Sequence, residues 1–241
     1  MSGHSHFKTV KRTKDAEDQK RSKIFSKLSH MILITAKEGG KDIDTNSKLR
    51  MVVEQAKQAN MPKDNIERAI KKGVGELEGK RLEQVIFEAY GPAKTAIIIE
   101  GITDNKNRTL GAIKLILSQH NGKLANEGSV KWLFERKGII SINTELKRIN
   151  KEELELTAIE AGAEDINWHE DILEIYTKPE ELEKVKQNLE EKEIKIESSD
   201  LGWIAKEEIE VDQKNQESCQ KLFEALNEND DIQDIYSNLK V

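Results

Sequence analysis

Apolar residues in the first third of the chain recur at intervals of three and four, and beyond residue 82 that period gives way to short strand-like runs. Ile24, Phe25, Leu28, Met31, Ile32 and Ala36 share one face of a helix predicted over 21–38, which Gly39-Gly40 stops. Leu49, Val52, Val53, Ala56 and Ala59 mark a second helix ending at Asn60-Met61-Pro62, where the proline suits the first turn of a third helix and Asp64 its positive end. Ile66, Ala69 and Ile70 stripe that third helix until Gly73 and Gly75 close it. Residues 21–75 thus read as a small helical bundle, and Gly79 with its charged neighbours as a linker.

Further along, strands are expected at 85–90 and 96–102 around the turn Gly91-Pro92, then a helix over 108–120 and a strand over 130–134. A separate cycle starts at Gly138, with strand 139–142, helix 151–161, strands 165–169 and 173–176, helix 179–192 and strand 194–197. This β-α-β-β-α-β succession is that of the ferredoxin-like fold, with Asn150/Glu153 and Thr177/Glu180 as helix starts of the capping-box kind. The last forty residues read as strand 204–211, helix 217–226 with Cys219, Leu222, Phe223 and Leu226 inward, and strand 232–236. They supply the half unit that the segment before residue 138 lacks. The expected fold class is therefore α+β, an N-terminal helical bundle followed by two small α/β (ferredoxin-like) domains, the last inserted into the middle one. Its divisions are 1–81 for the basic tail plus helical domain, 82–135 with 205–241 for a discontinuous α/β domain, and 136–204 for the insertion.

Composition refines this picture. Hydrophobic residues make up 36%, aromatics 5% and charged residues 35% of the 241 positions, which fits small domains with charged surfaces better than one large core. No apolar run is long enough to span a bilayer, and the basic N-terminus is not followed by the apolar segment of a signal peptide. A single cysteine, Cys219, forms no internal disulfide and agrees with a reducing compartment, so a cytoplasmic protein without membrane contact is expected. Charge is divided unevenly: residues 1–81 carry 19 basic and 11 acidic side chains, or +8, whereas residues 82–241 carry 20 and 34, or −14. Polyanions are drawn to the first part and repelled by the second, which orients any nucleic acid at one end.

Candidate chemistry is sparse. His4 and His6 stand two apart with no further ligands beside them, and Ser5 between them has no oxyanion donors in view, so neither a metal nor a catalytic residue is assigned and no cofactor is expected. Gly39-Gly40 and Gly73-Val74-Gly75 lack the strand, the helix and the Lys-Ser or Lys-Thr of a phosphate-binding loop and read as helix punctuation. The acidic runs at 180–183 and 190–193 read as a solvated helix face. Lys8, Lys11, Arg12, Lys14, Lys20, Arg21, Lys23 and Lys27 form a dense cluster in which Lys20, Lys23 and Lys27 share a helical sector able to face a phosphate backbone. Lys63, Arg68, Lys71 and Lys72 extend it if the third helix packs nearby. Five phosphate contacts give a log-log salt slope of roughly −4.5, or several hundredfold in affinity between about 50 and 200 mM salt. A solubilising tail is the alternative use of such a cluster. Few aromatics interleave with the cations, which disfavours single-strand stacking as the main mode. The turn 103–108 is a second candidate: Asp104 and Asn105 can cap the following helix, and Lys106 and Arg108 then project beside an anion-favouring N-terminus.

Several stretches resemble the YebC/PmpR proteins, a family that includes the mitochondrial translational activator of cytochrome c oxidase. They are Gly3-His4-Ser5, Lys20-Arg21 with Lys23-Ile24-Phe25, Glu38-Gly39-Gly40, Asn60-Met61-Pro62-Lys63-Asp64-Asn65-Ile66, Tyr90-Gly91-Pro92, Thr103-Asp104-Asn105 with Asn107-Arg108-Thr109, Gly128-Ser129-Val130 and Phe134-Glu135-Arg136-Lys137-Gly138. The resemblance covers nearly the whole chain, most tightly over 3–75 and 87–138, and adds His4 and Ser5 to the candidate nucleic-acid contacts. It implies three domains and a non-enzymatic regulator of gene expression. That regulator acts either on duplex DNA as a transcriptional regulator or on structured RNA as a ribosome-associated factor that helps translation through stretches such as consecutive prolines. His6-Phe7 stands where Lys-Trp is usual, Thr13 interrupts a run that is normally more basic, and Ala93-Lys94 replaces a Gly-Gly. No dimerisation seam for palindromic DNA is legible, so a monomer with a lean toward the ribosome is expected.

Overall fold

The computed structural model describes residues 14–79, 81–144 and 150–240, and side chains from residue 21 onward. The three-and-four spacing folds as helices α1 (Lys14–Gly39), α2 (Ser47–Gln58) and α3 (Lys63–Gly73), closed over Leu28, Ile32, Leu49, Val53, Ala56 and Ile66. Helix α1 begins seven residues ahead of the expected start. Apart from Ala16, residues 14–20 are polar and give no apolar stripe, yet Lys, Ala, Glu and Gln are good helix formers and the acids stand near the positive end. Asn46 caps α2 by accepting from the Leu49 N–H at 3.1 Å, and its amide also donates to the Thr35 and Gly40 carbonyls. Helices α1 and α3 touch closely: a Cβ added at Gly73 would lie 2.4 Å from the Leu33 carbonyl oxygen and 2.8 Å from the Ala36 Cβ.

Two antiparallel strands follow, β1 (Glu83–Tyr90) and β2 (Ala96–Thr103), in the register Phe87 opposite Ile99, and then α4 (Lys106–Gln119) and the two-residue β3 (Lys123–Leu124). Next come β4 (Phe134–Asn143), α5 (Lys151–Ala161), β5 (Asp165–His169), β6 (Ile172–Thr177), α6 (Leu182–Glu191) and β7 (Ser198–Ala205). Helix α7 (Gln213–Asn227) and strand β8 (Ile232–Ser237) end the series. The chain divides into two compact units, Phe134–Ile204 and the segments on either side of it taken together.

One sheet has the order β3-β1-β2-β8 and the other β5-β6-β4-β7. In the second, reading its strands in chain order, the arrangement is that of the ferredoxin-like fold, with α5 and α6 packed on Ile140, Ile142, Leu173 and Ile175. The first sheet has the same spatial order and antiparallel neighbours, but one of its two inner strands, β1, comes first in the chain instead of between the helices. Its core is Val85, Phe87, Ile97, Ile99, Ile113, Leu117, Leu222 and Leu226.

Several expected elements are displaced. The expected strand at 130–134 is a short 3-10 turn, Lys131–Leu133, from which β4 sets out. Ile194 and Ile196 alternate like a strand, but the left-handed Glu193 turns the chain there, both side chains pack on the core, and the strand forms four residues later as β7. Of the expected strand 204–211, Ile204 and Ala205 end β7 of the second sheet, Ile209 forms a lone bridge to Leu239, and the fourth place in the first sheet is taken by β3. Thr177 does not cap α6: its hydroxyl donates to the Lys178 carbonyl, and the helix opens through a 3-10 turn at Pro179–Glu181.

Candidate nucleic-acid interface

Of the expected basic cluster, His4, Ser5, Lys8, Lys11 and Arg12 lie outside the described residues. Lys14 and Lys20 belong to the first turns of α1, and Arg21 is exposed. Lys23 and Lys27 correct the expectation of a sector open to phosphates, because both reach the turn between α7 and β8. Lys23 forms an ion pair with Glu228, and the Lys27 ammonium donates to Asn227 Oδ1 at 2.6 Å and to the Asn227 carbonyl at 3.3 Å. Burial pushes the Lys27 ammonium below its usual range, a shift that Asp234, Asp230 and Glu228 partly offset.

The cations of α3 face outward. Lys63, Arg68, Lys71 and Lys72 are all exposed, and Lys63 lies 3.6 Å from Glu67 one turn on. Arg68 and Lys72 border a cleft of about 290 Å³ between α1 and α3. Ser29, His30 and Asn65 also line it, and residue identity alone does not single these three out. The detectable signal was the spacing: Asn65, Arg68 and Lys72, at i, i+3 and i+7, share one helix face.

At the second candidate, Asn105 caps α4 by accepting from the Arg108 N–H at 3.0 Å, and Lys106 is exposed. Arg108 does not project as expected. Its guanidinium is held by Asp104 at 2.7 Å and Asp231 at 2.8 Å, and these two carboxylates hold its pKa above the ordinary value. Asp231 also accepts from Thr109 at 2.7 Å and Thr103 at 3.2 Å. Burial raises the Asp231 carboxyl, but Arg108 and the threonines outweigh it and leave the group below the usual carboxylate range. This cluster ties α4 to Asp231, just ahead of β8.

Two other features emerge, the first without a signal in the sequence and the second at a departure noted there. Glu88, 5% exposed, accepts the backbone N–H groups of Gly128, Val130 and Lys131 at 2.6, 2.5 and 2.8 Å. Burial pushes its carboxyl up, and the three amides with Lys131 more than reverse this, so its pKa lies below the usual value. Ala93 and Lys94 both adopt the left-handed conformation, with φ of 53° and 65°, where the resembling pattern has Gly-Gly. Cys219 is buried against Thr95, and burial raises its thiol, which fits a packing role.

Residues 5–76 match the family model described as the TACO1/YebC protein N-terminal domain, and residues 82–239 match that of the TACO1/YebC second and third domain. A probable transcriptional regulatory protein of Pseudothermotoga lettingae is 46% identical over 241 residues, covering all of this chain and 94% of the relative. One from Thermosipho melanesiensis is 47% identical with the same coverage. The crystal structure of a conserved hypothetical protein from Aquifex aeolicus superposes with a TM-score of 0.89 at 43% identity, covering 98% of this chain and 97% of that one.

Proposed function

The chain belongs to the TACO1/YebC family, and from that premise we propose that it is a regulator of gene expression that binds structured nucleic acid through its basic N-terminal part. The observation that carries the reading is the charge division, +8 over residues 1–81 against −14 over the rest, together with the exposed cations of α3. An acidic body keeps polyanions off most of the surface and leaves the helical end as the approach. No bond-making step is assigned. The preferred target is the ribosome, whose large RNA surface accommodates a locally basic, monomeric protein.

A transcriptional role is the second reading, favoured by the relatives named probable transcriptional regulatory proteins. Co-sedimentation with ribosomes at about 150 mM salt, with excess duplex DNA as competitor, separates the two. Retention on ribosomes that disappears in the Lys8→Gln, Lys11→Gln, Arg12→Gln, Arg21→Gln variant supports the translation reading. Transfer to the DNA makes transcription the working model, and no retention on either removes nucleic-acid binding.

A further inference from the structure

The cleft between α1 and α3 has an unusual lining for a chain richer in acids than bases. Leu33, Ala69 and Leu82 form an apolar floor, Ser29, His30 and Asn65 a polar wall, and Arg68 and Lys72 a cationic rim with no carboxylate among the lining residues. Ala69 and Leu82 are both 5% exposed, so the floor is set into the core. Arg68 and Lys72 stand one helical turn apart, a spacing that lets two cations flank one phosphate group. Among the described residues neither is engaged in an ion pair. A cleft of about 290 Å³ lies at the small end of ligand pockets, room for a ring and its phosphate.

We propose that this cleft receives a single unstacked nucleotide of a bound RNA, its base on Leu33, Ala69 and Leu82 and its phosphate between Arg68 and Lys72. The inference rests on the nucleic-acid reading above and narrows it to RNA that offers a bulged or looped base, since drawing a paired base out of the stack costs pairing and stacking energy that an unpaired one does not. Ser29 and Asn65 supply the polar atoms for a base edge, and neutral amide and hydroxyl groups admit more than one base.

Adenosine 5′-monophosphate titrated into the full chain, followed by the methyl resonances of Leu33 and Leu82, tests the cleft without a polynucleotide. Saturable shifts at both leucines are expected, weakened by about tenfold or more in Arg68→Ala, Lys72→Ala and for adenosine lacking the phosphate, and retained in the charge-keeping Lys72→Arg. Absent shifts in the wild type, or unchanged binding in the double variant, overturn the inference. A second measurement compares an RNA hairpin carrying one bulged adenosine with its fully paired counterpart. The double variant is expected to lose the preference for the bulge while still binding the paired form, and loss of both equally overturns the assignment. Nucleic-acid binding without leucine shifts sinks the cleft alone. Leucine shifts without retention on ribosomes or DNA sink the broader reading, and with it RNA as the source of the nucleotide, while the cleft stands as a nucleotide site.

Discussion

Ala93 and Lys94 sit at positive φ in the turn between β1 and β2, a conformation that costs a non-glycine residue about 1 kcal/mol or more. Restoring glycine relieves that strain, although the freer unfolded chain takes part of the gain back. Ala93→Gly, Lys94→Gly is therefore expected to raise stability by about 1 kcal/mol, read as a higher urea midpoint. Glu88 is the opposite case, a residue whose removal is costly. Glu88→Ala strands three backbone N–H groups and is expected to destabilise by about 2–4 kcal/mol in the same measurement. Glu88 and Asp231 both have carboxyls held below their usual values, so their contribution is complete above about pH 4.5 and is lost as pH falls through the lower folded-state values. Acid unfolding followed by circular dichroism should accordingly be shallower in Glu88→Gln and Asp231→Asn. Sequence hides these residues for a physical reason. A glutamate in a strand reads as a solvent-facing position, and Arg108 meets Asp231 across 123 residues that no local period spans.

Elements with a strong period were legible, and elements defined by their partners were not. Helices α2 and α3 fall within a residue or two of where their apolar stripes and caps place them. Strand β7 slipped four residues because Ile194-Lys195-Ile196 has the right alternation, while the real strand, Ser198–Ala205, is polar at its start and is defined by pairing with β4. The α1–α3 crossing shows packing overruling propensity. Gly73→Ala improves helix propensity by up to about 1 kcal/mol, but its methyl meets the backbone at Leu33, which cannot swing away. A net loss of about 1–3 kcal/mol is expected, measured as a lowered thermal midpoint. The cleft beside this crossing was partly readable: its cations were candidates from the charge count, and its floor became visible only once two helices and Leu82 were brought together.

For the whole molecule, the division of charge is bridged from within, because the acidic turn after α7 holds Lys23 and Lys27 of the basic helix. Under the proposed function those two cations are withheld from phosphates in the free protein. Asn227→Ala, Glu228→Gln releases them, and is expected to tighten binding to RNA and steepen the log-log salt slope by about one to two. Unchanged slope in a salt titration means that Lys23 and Lys27 stay turned inward.

Strand β8 lies hydrogen-bonded along β2, yet roughly 130 residues separate them in the chain. At the usual pace of about 5–20 residues per second, the growing chain therefore carries Ile97, Ile98 and Ile99 for about 7–25 s before their neighbour exists. During that interval Phe134–Ile204, whose strands pair only with one another, can already have folded. Its ends then stay close, with the Lys206 N–H donating to the Leu133 carbonyl at 2.9 Å, so the late segment is delivered back to the sheet that waits for it. Birth order thus reverses spatial order, and a nascent chain interrupted before residue 232 leaves an aggregation-prone isoleucine edge in place of a finished domain.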